Sequence, residues 1–205
     1  MTRWSARSDV SAAPNAIAVA LDAAREAGRD IIDLTASNPT TCGLAASEQL
    51  IAHVGQPAGT RYRPDALGMG CARRAVADDY ARRGVVVAPE QVLLTASTSE
   101  AYGYLLKLLC DPGDAVLVPR PAYPLLPLLA RLEHVEVQTY PLLRDAFWRI
   151  DIGAARRALS GGRVRAVLLV HPGNPTGMFT HRDDAAALLQ LCHEHGVALV
   201  VDEVF

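Results

Sequence analysis

From residue 92 onward the chain alternates short apolar runs with helical stretches, and that alternation leaves it few architectures to choose from. The apolar runs are Val92 to Thr95, Ala115 to Pro119, Val135 to Tyr140, Ala166 to His171 and Ala198 to Asp202. Helical stretches separate them, near 99–110, 124–132, 152–159 and 181–195. Strands that are apolar along their whole length are buried on both faces, so the pattern predicts an α/β fold with helices on both sides of the sheet.

The first 90 residues are less regular. Residues 15–27 are Ala-rich, with Asn15 as a cap and Gly28 as a stop, which predicts a helix. Ile31 to Leu34 is a short strand candidate that runs into residues 35–43, a loop by its density of turn formers. A further helix is expected over 69–83, with Met69, Ala72, Val76 and Tyr80 at helical spacing, a solvated face of Arg and Asp, and Gly84 as its stop. In the stretch before the last strand, Thr180 and Asp183 have capping-box spacing and Gly196 is the stop. His193 and His195 fall in its last turn, where they suit the helix dipole better than a metal.

Composition narrows the function. Half of the 205 residues are hydrophobic and a fifth are charged, enough for one core or a core plus a partial domain. The net charge of −2 and the scattered arginines offer neither a nucleic-acid patch nor a membrane-binding surface. Cys42, Cys71, Cys110 and Cys192 form no Cys-x-x-Cys pair, so no zinc site or disulfide framework is expected; they read as buried free thiols of a cytoplasmic protein. No apolar run approaches membrane-spanning length. Among 20 basic residues, Lys107 is the sole lysine.

In open α/β sheets ligands sit beyond the carboxyl ends of strands, so the residues just after each run carry the information. Ser97, Thr98 and Ser99 open a helix, where free N–H groups and the macrodipole favour an anion such as phosphate. Taken alone, the same triplet is better read as ordinary capping. Tyr123, after the second run, offers an aromatic face. Asn174, in His171-Pro-Gly-Asn-Pro-Thr-Gly177, can aim its amide from a turn. Asp202 ends an apolar run, and a carboxylate there is costly unless a cation or strong donor meets it. Singly, these three are better explained as a core Tyr, a turn-forming Asn and a backbone-satisfied Asp.

Their order and context change the weighing. Asn-Pro-Thr-Gly after one strand, Asp-Glu-Val at the end of the next and a hydroxyl-rich helix start upstream resemble the class I/II pyridoxal-phosphate aminotransferases of fold type I. The resemblance runs from about Asp33 to the last residue and takes in Leu34-Thr-Ala-Ser-Asn-Pro-Thr40, Arg61-Tyr62 with Gly68 beyond, and the segment from Asp111 to Pro119. It implies an incomplete three-layer α/β/α sandwich with a mainly parallel sheet, residues 1–50 forming an amino-terminal segment or partial small domain and 51–205 the cofactor-binding large domain. It implies pyridoxal 5′-phosphate as cofactor, amino-group transfer between an amino acid and a 2-oxo acid, and a homodimer. Asp202 would face the pyridinium nitrogen, Asn174 the ring's phenolic oxygen, and Tyr123 the stacking position. Ser97, Thr98 and Ser99 would take the phosphate, Tyr62 would reach a phosphate across the dimer interface, and Ser37 and Asn38 would lie over the substrate.

The sequence departs from the family twice. Phe205 stands where a tyrosine often bonds the phenolic oxygen. The Schiff-base lysine and the arginine for the substrate carboxylate lie, in the family, beyond this point; Lys107 sits in the polar stripe Glu100, Gly103, Lys107 and is expected to be solvated, so no catalytic residue is assigned. The chain is therefore expected to be a truncated form, inactive alone, whose run Val92 to Thr95 lacks a neighbouring strand. A carbon–sulfur lyase of the same fold and a non-catalytic cofactor-binding or interaction module stay open, although residues 1–34 hold no basic helix-turn-helix. A nicotinamide dehydrogenase is disfavoured, because no Gly-x-Gly-x-x-Gly follows a strand.

Overall fold

A computed structural model describes residues 3–8, 13–32, 38–45, 47–55 and 62–204. Its sheet has five strands, β1 (Ala115–Arg120), β2 (Glu136–Arg144), β3 (Trp148–Ile150), β4 (Val164–Val170) and β5 (Ala198–Asp202), in the order β3-β2-β1-β4-β5. β1 pairs in parallel with β2 and β4, and β4 with β5; β3 alone is antiparallel, on β2. Helices α4 (Thr98–Leu109) and α5 (Leu126–Leu132) pack on one face, α6 (Ile152–Leu159) and α7 (Arg182–His195) on the other.

β1 and β4 are buried on both sides, β2 and β5 are mostly half-buried or exposed, Val201 among the exposed residues, and alternate residues feed two cores. Val116, Val118, Ala166, Leu168 and Val170 join Tyr102, Leu106 and Leu126 under α4 and α5. Ala115, Leu117, Val167 and Leu169 join Tyr140, Leu188 and Leu191 under α6 and α7. On β5 the same alternation puts Ala198 and Val200 with the α4 side and Leu199 with the α7 side.

The chain divides into two compact units, residues 11–94 and residues 1–10 with 95–205; the sheet belongs to the second. The first holds α1 (Ala16–Glu26), α2 (Glu48–Val54) and α3 (Gly70–Arg82). Asn15 caps α1 by accepting from the Ala18 N–H at 2.9 Å, and Ser47 does the same for α2 from Leu50 at 3.3 Å. Within this unit Leu94 N–H bonds the Leu67 carbonyl, and Arg73 bonds the carbonyls of Gly68 and Pro89. Gly68 has φ +90°, and a Cβ there would meet Leu94 Cβ at 2.6 Å, so only glycine fits.

Several sequence expectations change. Val92–Thr95 is in no strand: Val92 is extended, but none of these residues has a ladder partner among the described residues. Ile31 and Ile32 are likewise outside any strand, and Asp33 and Leu34 lie outside the described residues. β3 and α2 were not expected, being three and seven residues long. Thr180 is not a cap: its Oγ1 is buried without a partner among the described residues, while His181 Nδ1 accepts from the Asp183 N–H at 3.3 Å. On α3 the buried residue is Ala77, with Met69 and Tyr80 exposed. Asp79 there takes both Arg82 and Arg83. Cys192 is buried, but Cys42 and Cys71 are exposed, because helices with so little packed against them have no interior for a thiol.

Candidate active site

The sheet order reverses between β1 and β4: the chain goes from β1 outward to β2 and β3, then crosses back to β4 and on to β5. Such a reversal opens a crevice at the carboxyl ends of the two inner strands. A small cleft lies there, walled by Pro119 and Pro121 at and after the end of β1, Leu142 of β2, and Leu169, Gly173, Asn174 and Thr176 at and after β4; of the assigned residues, Asn174 is the one that lines it.

Asn174 owes its position to a tight loop. Gly173 N–H bonds the Met178 carbonyl at 2.8 Å, Thr176 Oγ1 accepts from Met178 N–H at 3.2 Å, and a Cβ on Gly173 would meet Thr176 Oγ1 at 2.6 Å. The Asn174 side chain is half-buried and makes no hydrogen bond among the described residues, which leaves its amide free at the cleft.

Asp202 is the last residue of β5, opposite Val170, and is buried. Its Oδ2 accepts from the Tyr102 hydroxyl at 2.8 Å and its Oδ1 from the Val204 N–H at 3.2 Å. No Arg, Lys or His among the described residues pairs with it, so its charge is met by two donors and no cation. Tyr102 is the residue that sequence reasoning missed. Burial first, and then the Asp202 carboxylate, push its phenol pKa well above the ordinary value; Tyr123 lies close enough to add to the shift. Tyr123 itself is half-buried beside the core under α4 and α5.

The start of α4 divides its hydroxyls between two tasks. Ser97 is the N-cap: its Oγ accepts from the Glu100 N–H at 3.2 Å, as the capping reading has it. Glu100 reaches back to the Ala96 N–H at 2.6 Å and accepts from Tyr104, and these bonds lower its pKa. Thr98 and Ser99 hydroxyls make no hydrogen bond among the described residues and stand at the positive end of the helix. Tyr102, which meets Asp202, is one turn further along α4, about 6 Å along the axis from Thr98.

Asn38 Oδ1 accepts from the Thr40 N–H and hydroxyl at the head of a short 3-10 turn, Pro39–Cys42. Tyr62 is 94% exposed. Both belong to the unit 11–94, and Ser37 and Phe205 lie outside the described residues. Lys107 is exposed and pairs with Glu133 past the end of α5, as its polar stripe led one to expect of a solvated side chain. Among the described residues no group of three His, Cys, Asp or Glu could hold a metal, and no helix is long and apolar enough to cross a membrane.

A family model described as aminotransferase class I and II matches residues 29–205. The chain belongs to that family. It is 26% identical over 183 residues to the glutamate-pyruvate aminotransferase AlaA of Escherichia coli K12, covering 88% of this chain and 45% of that protein. It is 37% identical over 144 residues to alanine aminotransferase 1 of Mus musculus, covering 65% and 29%. Among solved structures, the alanine aminotransferase of Pyrococcus furiosus superposes with a TM-score of 0.84 at 27% identity, covering 99% of this chain and 52% of that one. The chain thus spans about half the length of these relatives or less, and its fold is that of a fold type I aminotransferase, an incomplete α/β/α domain. The family implies pyridoxal 5′-phosphate as cofactor. The donor set suits it: among the described residues, one buried carboxylate lacks a cation, two hydroxyls at a helix start and one amide lack hydrogen-bond partners, and an aromatic ring is half-buried.

Proposed function

We propose that this chain is the cofactor-holding part of an aminotransferase that binds pyridoxal 5′-phosphate beyond β4 and β5 and moves amino groups between an amino acid and a 2-oxo acid. The observation that carries the reading is Asp202, a buried carboxylate with two hydrogen-bond donors and no cation among the described residues. A protonated ring nitrogen is the complement such a group needs. Thr98 and Ser99, with the first N–H groups of α4, bind the phosphate, while Ser97 mainly caps the helix. Asn174 donates to the ring's phenolic oxygen, and Tyr123 lies against the ring. Bound there, the cofactor supplies an electron sink for the carbanion formed at the substrate α-carbon.

The same reading gives Tyr62 a role at the phosphate of a partner in a homodimer, places Ser37 and Asn38 over the substrate, and puts the enzyme in the cytoplasm. Residues 1–50 act as the amino-terminal segment and 51–205 as the cofactor-binding part. Lys107, the sole lysine, is taken up by Glu133, so the cofactor is held here without a covalent bond, and no amine among the described residues is placed to move the α-proton. The test is titration of pyridoxal 5′-phosphate into the 205-residue chain and its Asp202→Ala variant. A charge-assisted hydrogen bond contributes about 1.5–3 kcal/mol, so the variant should bind roughly ten- to a hundredfold more weakly. Equal affinity would remove the Asp202 assignment.

A further inference from the structure

Asp202 has a partner that the family resemblance does not assign. Tyr102 is 4% exposed, and its hydroxyl donates to Asp202 Oδ2 at 2.8 Å across 100 positions of sequence. The Tyr102 ring belongs to the apolar cluster of Leu106, Val116, Leu168 and Val170, which holds it in one orientation. That cluster would accept a phenylalanine equally well, so packing accounts for the ring and leaves the hydroxyl to be explained. The hydroxyl meets the one carboxylate that closes an apolar strand, and Val204 N–H holds the other oxygen.

We propose that Tyr102 is a positioning residue: it fixes the plane of the Asp202 carboxylate so that its remaining lone pairs present to a single ring N–H donor at the strand end. The inference rests on the reading that Asp202 meets the cofactor's ring nitrogen. Burial and the neighbouring carboxylate both raise the phenol's pKa, which keeps it a neutral donor over the working pH range of the protein. A tyrosine that merely satisfied its own buried hydroxyl would influence every ligand of the site alike. A positioning tyrosine acts through the ring nitrogen only.

The experiment measures affinity of the 205-residue chain for pyridoxal 5′-phosphate and for its 1-deaza analogue, which carries C–H in place of the ring nitrogen. Wild type, Tyr102→Phe, Asp202→Asn and the double variant are compared by calorimetric titration, each with a thermal melt. The expected result is that Tyr102→Phe weakens the natural cofactor about tenfold, leaves the deaza analogue within about twofold, and adds nothing in the Asp202→Asn background. Equal weakening of both ligands means a structural role and overturns the proposal. If Tyr102→Phe changes neither while Asp202→Asn erases the preference for the natural cofactor, the Asp202 reading stands and the Tyr102 inference falls. If wild type itself has no such preference, the Asp202 reading fails and takes the inference with it. Should Tyr102→Phe not fold, Tyr102→Leu, which suits the same apolar cluster, replaces it in the comparison.

Discussion

Two buried aspartates illustrate how far a single residue can be read. Asp184, near the start of α7, is 5% exposed; Arg149 bonds both of its oxygens, at 2.8 and 2.6 Å, and the Ile150 N–H bonds Oδ2 at 3.0 Å. These bonds, that of Arg149 foremost, hold its carboxyl below the usual range. Arg149 is about half exposed, so solvent screens the ion pair, and the larger loss on removing the carboxylate is the buried Ile150 N–H left without an acceptor. Asp184→Ala should therefore cost about 1–3 kcal/mol at neutral pH. Because the folded pKa is depressed, the charge-dependent part is present above the unfolded value of about 3.9 and is lost as pH falls through the folded one. Urea titrations at neutral and acid pH should show the gap between wild type and Asp184→Asn narrowing in acid. Asp184 looks in sequence like any helix-start acid, because its partners come from β3. Asp202 was legible because an apolar run cannot end on a carboxylate without a reason, whereas Tyr102 was not, since its partner is a hundred positions away.

At the scale of elements, sequence pattern worked where an element is long and buried on its own account, and failed where pairing defines it. β1, β4 and β5 follow from their apolar runs. β3 is only three residues of ladder, created by β2 continuing to Arg144 and turning back. Val92–Thr95 has the composition of a strand, yet a strand is defined by its neighbour, and the Leu94 N–H goes to the Leu67 carbonyl instead. Helix ends were easier, because Gly28 and Gly196 take φ near +65°, as stops should. The end of α5 breaks that rule: His134, with φ +59°, turns the chain into β2, and its carbonyl accepts from the Gly113 N–H. A left-handed non-glycine residue costs about 1–2 kcal/mol, while glycine loses about 0.5–1 kcal/mol more chain entropy on folding. His134→Gly is thus expected to stabilise the chain by roughly 0.5–1 kcal/mol, read as a raised melting temperature. A lowered one would show that the imidazole itself contributes.

Over the whole molecule, burial is divided unevenly. Among the described residues, Ala77 is the one buried hydrophobic of the unit 11–94, and all the others lie between Tyr102 and Cys192. Hydrogen exchange should therefore be slowest in β1 and β4 and faster by about two orders of magnitude in α1 and α2. Equal protection would mean that the two units open together. The same division bears on the proposed chemistry, since Thr98, Ser99, Tyr123, Asn174 and Asp202, the residues proposed to hold the cofactor, all belong to the better-packed unit, which also holds the sole lysine. Lys107 is nine residues along α4 from Thr98, about 13–14 Å up the axis, and its ammonium bonds Glu133. Tyr102 and Leu106 face the core while Lys107 and Leu108 are exposed, so the amine cannot swing inward without unpacking the helix. Adding pyridoxal 5′-phosphate to these 205 residues, reducing with borohydride and mapping the lysine should give only slow, substoichiometric labelling, with no amino-group transfer and no change in cofactor affinity on Lys107→Ala. Stoichiometric labelling of Lys107 together with turnover that Lys107→Ala abolishes would show instead that α4 reorganises around the cofactor and that this chain carries its own catalytic amine.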